Sequence, residues 1–172
     1  MIRNAQASDL DAIMAIVRKV NVEMRAEDRV QWDESYPQLE DFAQDIAEET
    51  LYVNETTGRI SGFICLNQLE PEEYRLLQWS LNEKPLVLHR MAVDTAFRNR
   101  GIASSLMRFA EELARNAGVR YLKSDTYSLN PQMNALFKKM GFSFVGAIHA
   151  FGRPSLFNCY EKILDTHRAQ LP

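Results

Sequence analysis

The chain is short of cysteine, of long apolar runs and of surplus positive charge, and each shortage removes a class of function. The two cysteines, Cys65 and Cys159, lie far apart without metal-ligand spacing. That argues against a disulfide scaffold or a metal site and makes a reduced, cytoplasmic setting the default. Either thiol reads as a small core residue. No apolar run reaches the length of a membrane span, and Met1-Ile2-Arg3-Asn4-Ala5 has no signal-peptide core. Neither a membrane partner nor export is therefore expected. Lys and Arg number 20 against 23 Asp and Glu, a net charge of −3, which weighs against a nucleic-acid partner. The G-x-x-x-x-G-K-[ST] and G-x-G-x-x-G nucleotide signatures are also missing.

What is present is an ordinary globular chain. Its 172 residues, 46% of them hydrophobic, suit one domain over 1–172. Ile2 to Ala5 reads as a short strand. Ser8 reads as a helix cap, because Leu10, Ile13, Met14, Val17 and Val20 follow at helical spacing. A polar loop from Arg25 to Ser35 leads to a second helix, with Pro37 in its first turn and Leu39, Phe42, Ala43 and Ile46 as its stripe. Thr50–Asn54 and Arg59–Asn67 form a hairpin around Thr57-Gly58. Gln68 to Pro85 has no clear period and predicts a helical piece or a lid. Leu86 to Val93 is the strongest strand. Ile102 to Ala117 is the clearest helix and ends at Gly118. A strand from Tyr121 to Asp125, a helix from Asn130 to Met140 and strands Phe142–Ile148 and Leu156–Ile163 close the domain. The tail from Asp165 reads as polar and frayed. The result is mixed α/β without a repeat or a linker.

Chemistry concentrates between Leu88 and Gly118. A strand enters the tight loop Asp94 to Arg100, and Gly101 opens directly into a helix. The unpaired N–H groups and positive dipole end of such a helix favour an anion. Gly101 lets a pyrophosphate approach the main chain, Ala103 keeps the next position small, and Ser104 and Ser105 add hydroxyl donors. Arg98 and Arg100 add positive charge. Arg98-x-x-Gly101-x-Ala103 resembles the R/Q-x-x-G-x-G/A signature of the GNAT superfamily of N-acetyltransferases. Leu88-His89-Arg90-Met91-Ala92-Val93 resembles its central strand. Asn130 to Phe142 resembles its later helix, usually ending Tyr-x-x-x-Gly-Phe. The order of elements agrees over nearly the whole chain.

The resemblance implies a single-domain α/β fold with a mixed, mostly antiparallel sheet, splayed at the cofactor site and flanked by helices. It implies acetyl-CoA as acyl donor and an amine acceptor. Met91, Ala92 and Val93 would line the pantetheine arm. Main-chain amides of Arg98, Asn99, Arg100, Gly101, Ile102, Ala103 and Ser104 would cradle the pyrophosphate. Asn130 would meet the pantetheine or simply cap its helix before Pro131. Lys138 and Lys139 would meet a CoA phosphate or form a solvated face. Family members are often dimers, which leaves a homodimer open.

Direct attack on the thioester needs a neutral amine. For a lysine-like amine that costs roughly 4–5 kcal/mol at pH 7, and for an α-amino group about 1–1.5 kcal/mol. His89 is the candidate base, because strand alternation places it on one side with Met91 and Val93. Leu88-His89-x-x-Ala92-Val93 also resembles the arylalkylamine N-acetyltransferases, although Val87 replaces their second histidine. Glu70, Glu72 and Glu73 are rival bases. At the position of the family's usual acid tyrosine stands Phe137, which cannot donate a proton. Tyr127, Ser128 and Tyr160 remain as substitutes, and a thiolate of pKa near 8.5 leaves tolerably without help. Trp32, Tyr36, Trp79, His149 and Arg153 fall in loops that could border the acceptor. Phe137 also supports an alternative class, a non-catalytic acyl-CoA-binding domain, which would release no CoA.

Overall fold

The computed structural model describes residues 1–165. Past residue 165 the expected polar tail lies outside the described residues. A seven-stranded sheet in the order β1-β2-β3-β4-β5-β7-β6 contains β1 (Ile2–Asn4), β2 (Leu51–Thr56), β3 (Arg59–Asn67), β4 (Leu86–Val93), β5 (Tyr121–Tyr127), β6 (Ser143–Ile148) and β7 (Phe157–Ile163). Only β4 and β5 pair in parallel; the other pairs are antiparallel. The expected mixed, mostly antiparallel sheet is therefore present. Helices α1 (Leu10–Ala26), α2 (Leu39–Ala47), α3 (Ile102–Asn116) and α4 (Pro131–Lys139) flank it.

Alternation along the strands supplies both cores. On one face Ile64, Leu66, Leu86 and Leu88 meet Leu106, Met107 and Ala110 of α3 and Phe137 of α4. On the other, Leu51, Val53, Phe63 and Cys65 meet Ile13, Ile16 and Val17 of α1 and Phe42 of α2. Trp32 stacks on Phe63 at 6.4 Å. Tyr74, Val87, Tyr127 and Phe157 form a third cluster under the far strands.

Two local readings need correction. Ser8 is not the cap of the first helix: a 3-10 turn at Ala7–Asp9 precedes α1. There Asp9 accepts the Gln6 N–H at 2.8 Å while Arg3 grips its carboxylate. The second helix starts at Leu39, past Pro37, with Asp41 accepting the Gln38 N–H at 2.7 Å. Between β3 and β4 the expected helical piece is present as a 3-10 helix, Glu72–Leu76.

The functional correction lies in β4. Cys65 pairs with His89 but Phe63 with Ala92, so β4 carries one extra residue there. Arg90 sits at φ 39°, in the left-handed region. A bulge reverses alternation beyond it. Leu86 and Leu88 before the bulge, and Met91 and Val93 after it, all pack on the α3 side. His89 therefore does not share a face with Met91 and Val93. It points to the opposite side of the sheet, where its ring meets Asn67 and Leu69.

Candidate active site

The parallel pairing of β4 with β5 ends at Leu88↔Ser124. The Ser124 hydroxyl donates to the Leu88 carbonyl at 2.8 Å and closes this last rung. Beyond it β4 stays with β3 up to Val93, and β5 stays with β7 up to Tyr127. The two halves of the sheet diverge and leave a gap.

Two cavities adjoin the gap and share the walls Met24, Met91, Asn130 and Met133. The first, about 500 Å³, is lined by Met91 to Val93, Phe97 to Asn99, Gly101 to Ser104, Asn130 and Lys139. This brings together most residues that the sequence assigned to the acyl donor. Gly101 precedes α3 at φ 75°, with no atom within 4 Å of where a Cβ would stand. The first turn of α3 contains no acidic residue. An open main chain at a helix N-terminus suits a diphosphate. The loop is braced from α1: Lys19 binds Asp94 at 2.9 Å, and Asp94 accepts the Ala96 N–H at 3.0 Å.

Several predicted side chains have other partners. Arg98 is paired with Glu23 and holds that carboxyl below the usual range. The Arg100 guanidinium lies over the Phe97 ring at 5.4 Å and is not on the cavity wall. Asn130 caps α4, accepting the Met133 N–H at 3.1 Å, while also facing both cavities.

The second cavity, about 520 Å³, is lined by His89, Arg90, Asp125, Thr126, Phe137, Tyr36, Phe151 and Arg153 among others. Phe137 is buried, stacked on Tyr160 at 4.8 Å. The Tyr160 hydroxyl donates to Asn134 Oδ1 at 2.6 Å, and the Tyr127 hydroxyl accepts the Ser155 N–H at 3.2 Å. Glu70 is paired with Lys123, and Glu72 with Arg75. Trp79 donates to the Tyr74 carbonyl, and His149 is exposed. Burial pushes the Cys65 thiol up to about 11 and Cys159 to about 12, so neither is an activated nucleophile.

His89 Nε2 lies 2.9 Å from Asn67 Oδ1 and 3.1 Å from the Leu69 carbonyl. Asn67 Oδ1 also accepts the Leu69 N–H at 2.9 Å, which identifies it as the oxygen. Both partners are acceptors, so Nε2 carries the hydrogen and Nδ1 is bare. Burial, aided by the Arg90 charge, lowers the ring from 6.5 to about 4. The imidazole is neutral at pH 7.

Asp125, which the sequence did not single out, lines the same cavity. Burial raises its carboxyl from 3.8 to about 6, with Glu73 adding repulsion and the Tyr74 bond opposing. The Tyr74 hydroxyl donates to its Oδ2 at 2.6 Å. The signal available beforehand was period two in β5: Tyr121, Lys123, Asp125 and Tyr127 share a face, and two charges among aromatics are unusual in a buried strand.

Arg90, on the bulge, donates to Asp45 at 2.8 Å through Nε and to the Tyr36 hydroxyl at 2.8 Å. The Asp45 side chain is 5% exposed and that of Arg90 17%. Asp45→Ala strands the guanidinium and is expected to cost about 3 kcal/mol, measured by urea denaturation.

The diverging sheet thus sets an anion-ready helix terminus and a titratable pocket against the same gap. Residues 18–142 match the acetyltransferase (GNAT) family, and the chain belongs to it. Human N-acetyltransferase 8B is 30% identical over 88 residues, 51% of this chain and 36% of that protein. The chain spans about a third of the length of the curated relatives it matches. A candidate acetyltransferase from Staphylococcus aureus Mu50 is 32% identical, covers 96% of this chain and 99% of its own, and superposes with a TM-score of 0.77. A Salmonella typhimurium structure solved with its cofactor acetyl-CoA shares the fold, with TM-score 0.72 at 18% identity over 98% of this chain and 96% of its own. Membership of this family supports acetyl transfer in general. Among the described residues no helix is long and apolar enough to cross a membrane, and no group of three or more metal-ligating side chains is found.

Proposed function

We propose that this acyltransferase acetylates a primary amine of a small molecule or peptide by direct attack in a ternary complex. The observation that carries this reading is the Asp125 carboxylate, on the wall of a cavity that shares Met24, Met91, Asn130 and Met133 with the donor cavity. The thioester arm would run along Met91, Ala92 and Val93, with its pyrophosphate on the amides from Arg98 to Ser104. Asp125 takes the proton of the incoming ammonium, and the freed lone pair forms the N–C bond. The C–S bond breaks, its electrons leave with the thiolate, and the second proton on nitrogen is lost to solvent, which leaves the neutral amide. A β4 amide, from Met91 or Val93, faces the oxygen on which charge develops. A carboxyl near 6 is better matched to neutral pH than an imidazole near 4. Neutral His89 then serves as an ordered wall beside the reacting amine.

No acid is needed at Phe137 if the thiolate leaves unprotonated. A thiol-trapping assay across amines tests the whole. Release of CoA that depends on the amine is expected; binding of acetyl-CoA with no CoA release for any amine would favour a non-catalytic acyl-CoA binder.

A further inference from the structure

Two charged side chains that the reaction does not use are buried in the sheet. Lys123 of β5 is 5% exposed and Glu161 of β7 is 8% exposed, and the two stand opposite each other in register. Charges so deeply placed need partners, and both find theirs in one segment, the β3–β4 connection over 68–85. Lys123 pairs with Glu70, and its ammonium lies over the Trp79 ring, 4.2 Å from the centroid. Glu161 accepts the Ser80 N–H at 3.1 Å and also the hydroxyls of Ser80 and Tyr121. Neither Lys123 nor Glu161 lines either cavity.

One step further along the same face of the sheet, Asp125 stands opposite Cys159. The pinned segment supplies its cover. The Tyr74 hydroxyl donates to the carboxylate, and Leu77 and Trp79 pack with Tyr74 against the cluster of Val87, Tyr127, Phe157 and Cys159. Trp79 also donates to the Tyr74 carbonyl at 2.8 Å, so the residue held by Lys123 holds the residue bonded to Asp125. Over β6 the fit is close: a Cβ on Gly146 would stand 2.7 Å from Leu77 Cδ2.

We propose that Lys123 and Glu161 are positioning residues of the reaction, clamping the 68–85 segment over Asp125 so that water is kept from one side of its carboxylate. This rests on the reading of Asp125 as the base. The other titratable groups around that carboxylate are Glu73 beside Tyr74, Cys159 on β7, and Lys123 and Tyr127 on β5; His89, Arg90 and Arg153 share its cavity wall. Burial outweighs the Tyr74 bond in setting the carboxyl, and Glu73 repulsion acts in the same direction as burial. Lifting the segment therefore moves the carboxyl down from about 6 toward 3.8. Loss of the Tyr74 bond alone moves it up, so the two faults have opposite signs.

The test follows kcat/KM against pH for the full chain with the amine turned over fastest in the CoA-release assay, each rate divided by that of the same protein carrying Asp125→Asn. Glu161→Ala unpins Ser80. Its carboxyl limb should fall by about one pH unit or more, its kcat/KM at pH 8 should drop about tenfold, and amide exchange over 72–80 should quicken. A merely structural loss would lower the rate at every pH and leave the limb in place. Glu161→Gln removes the same charge, keeps an acceptor for Ser80 and should retain the parent's limb. Gly146→Val pushes Leu77 outward without touching any charge; it should move the limb in the same direction as Glu161→Ala and replaces that variant if it fails to fold. A limb at the parent's pH in whichever of these two folds, or one that falls equally in Glu161→Gln, overturns the clamp and leaves Asp125 as the base. A limb absent from the parent rejects Asp125 and the clamp with it.

Discussion

Asp125→Asn lowers kcat/KM for amine acetylation by about 10²–10⁴-fold, the usual worth of a positioned base, and leaves acetyl-CoA affinity unchanged. The same variant melts at a higher temperature than the parent chain. The sign follows from the carboxyl pKa, 3.8 unfolded and about 6 folded. Below pH 3.8 both states are protonated and the group costs nothing. Between pH 3.8 and 6 the unfolded chain ionises while the folded carboxyl stays protonated, so stability falls across that window, and above pH 6 the cost stays at about 3 kcal/mol. Asparagine removes that charge and can still accept the Tyr74 hydroxyl. Gain of stability with loss of turnover separates a working base from a structural carboxylate, whose removal would weaken the fold. The pH profile adds a second readout. Deprotonation of the free amine contributes the same rise in both proteins, so the ratio of parent to variant rates isolates the carboxyl and should climb through pH 6. Tyr74→Phe removes the bond that favours the ionised form, so this limb moves to higher pH. A ratio flat from pH 5 to 8 would reject Asp125 as the base.

The donor half of the site was legible because its determinants are consecutive. Arg98 to Ser104 supply a turn, a glycine and a helix start within one short segment, and local sequence governs all three. The acceptor half is assembled from the α1–α2 loop, two separate strands and the β6–β7 loop. Arg153 reaches Asp33 and Arg90 reaches Asp45 over long chain separations, and no periodicity records such pairs. His89 was assigned its face by strict alternation, which held from Leu86 to His89. The bulge at Arg90 broke it. A positive φ at arginine has no sequence signature of the kind glycine provides. Arg98 read as a free cation for a ligand because Glu23, its partner, lies far upstream. The hydrophobic pattern found the elements more reliably than their ends: Ser8 lies inside a 3-10 turn, where Asp9 accepts the Gln6 N–H and Arg3 holds the same carboxylate.

Gly101→Glu is expected to reduce acetyl-CoA affinity by more than about 100-fold, measured by calorimetry, with the circular dichroism of the parent retained. Two costs combine. Residue 101 is at φ 75°, where any Cβ costs roughly 1–2 kcal/mol. The carboxylate then stands beside a diphosphate in place of bare N–H groups. The two are separable. The space around the Cβ position is empty in the structure, so Gly101→Ala meets no steric obstacle and reports the conformational cost alone. Asparagine, which tolerates the left-handed region, should approach the parent in stability. Gly101→Gln has the bulk of glutamate without its charge. The expected order of affinity is parent, then Ala, then Gln, then Glu, and the Gln-to-Glu step should shrink as salt rises because it is electrostatic. Identical affinities for Gln and Glu at low salt would mean that no phosphate group rests on this turn, and the donor would then have to enter the gap between β4 and β5 by another route.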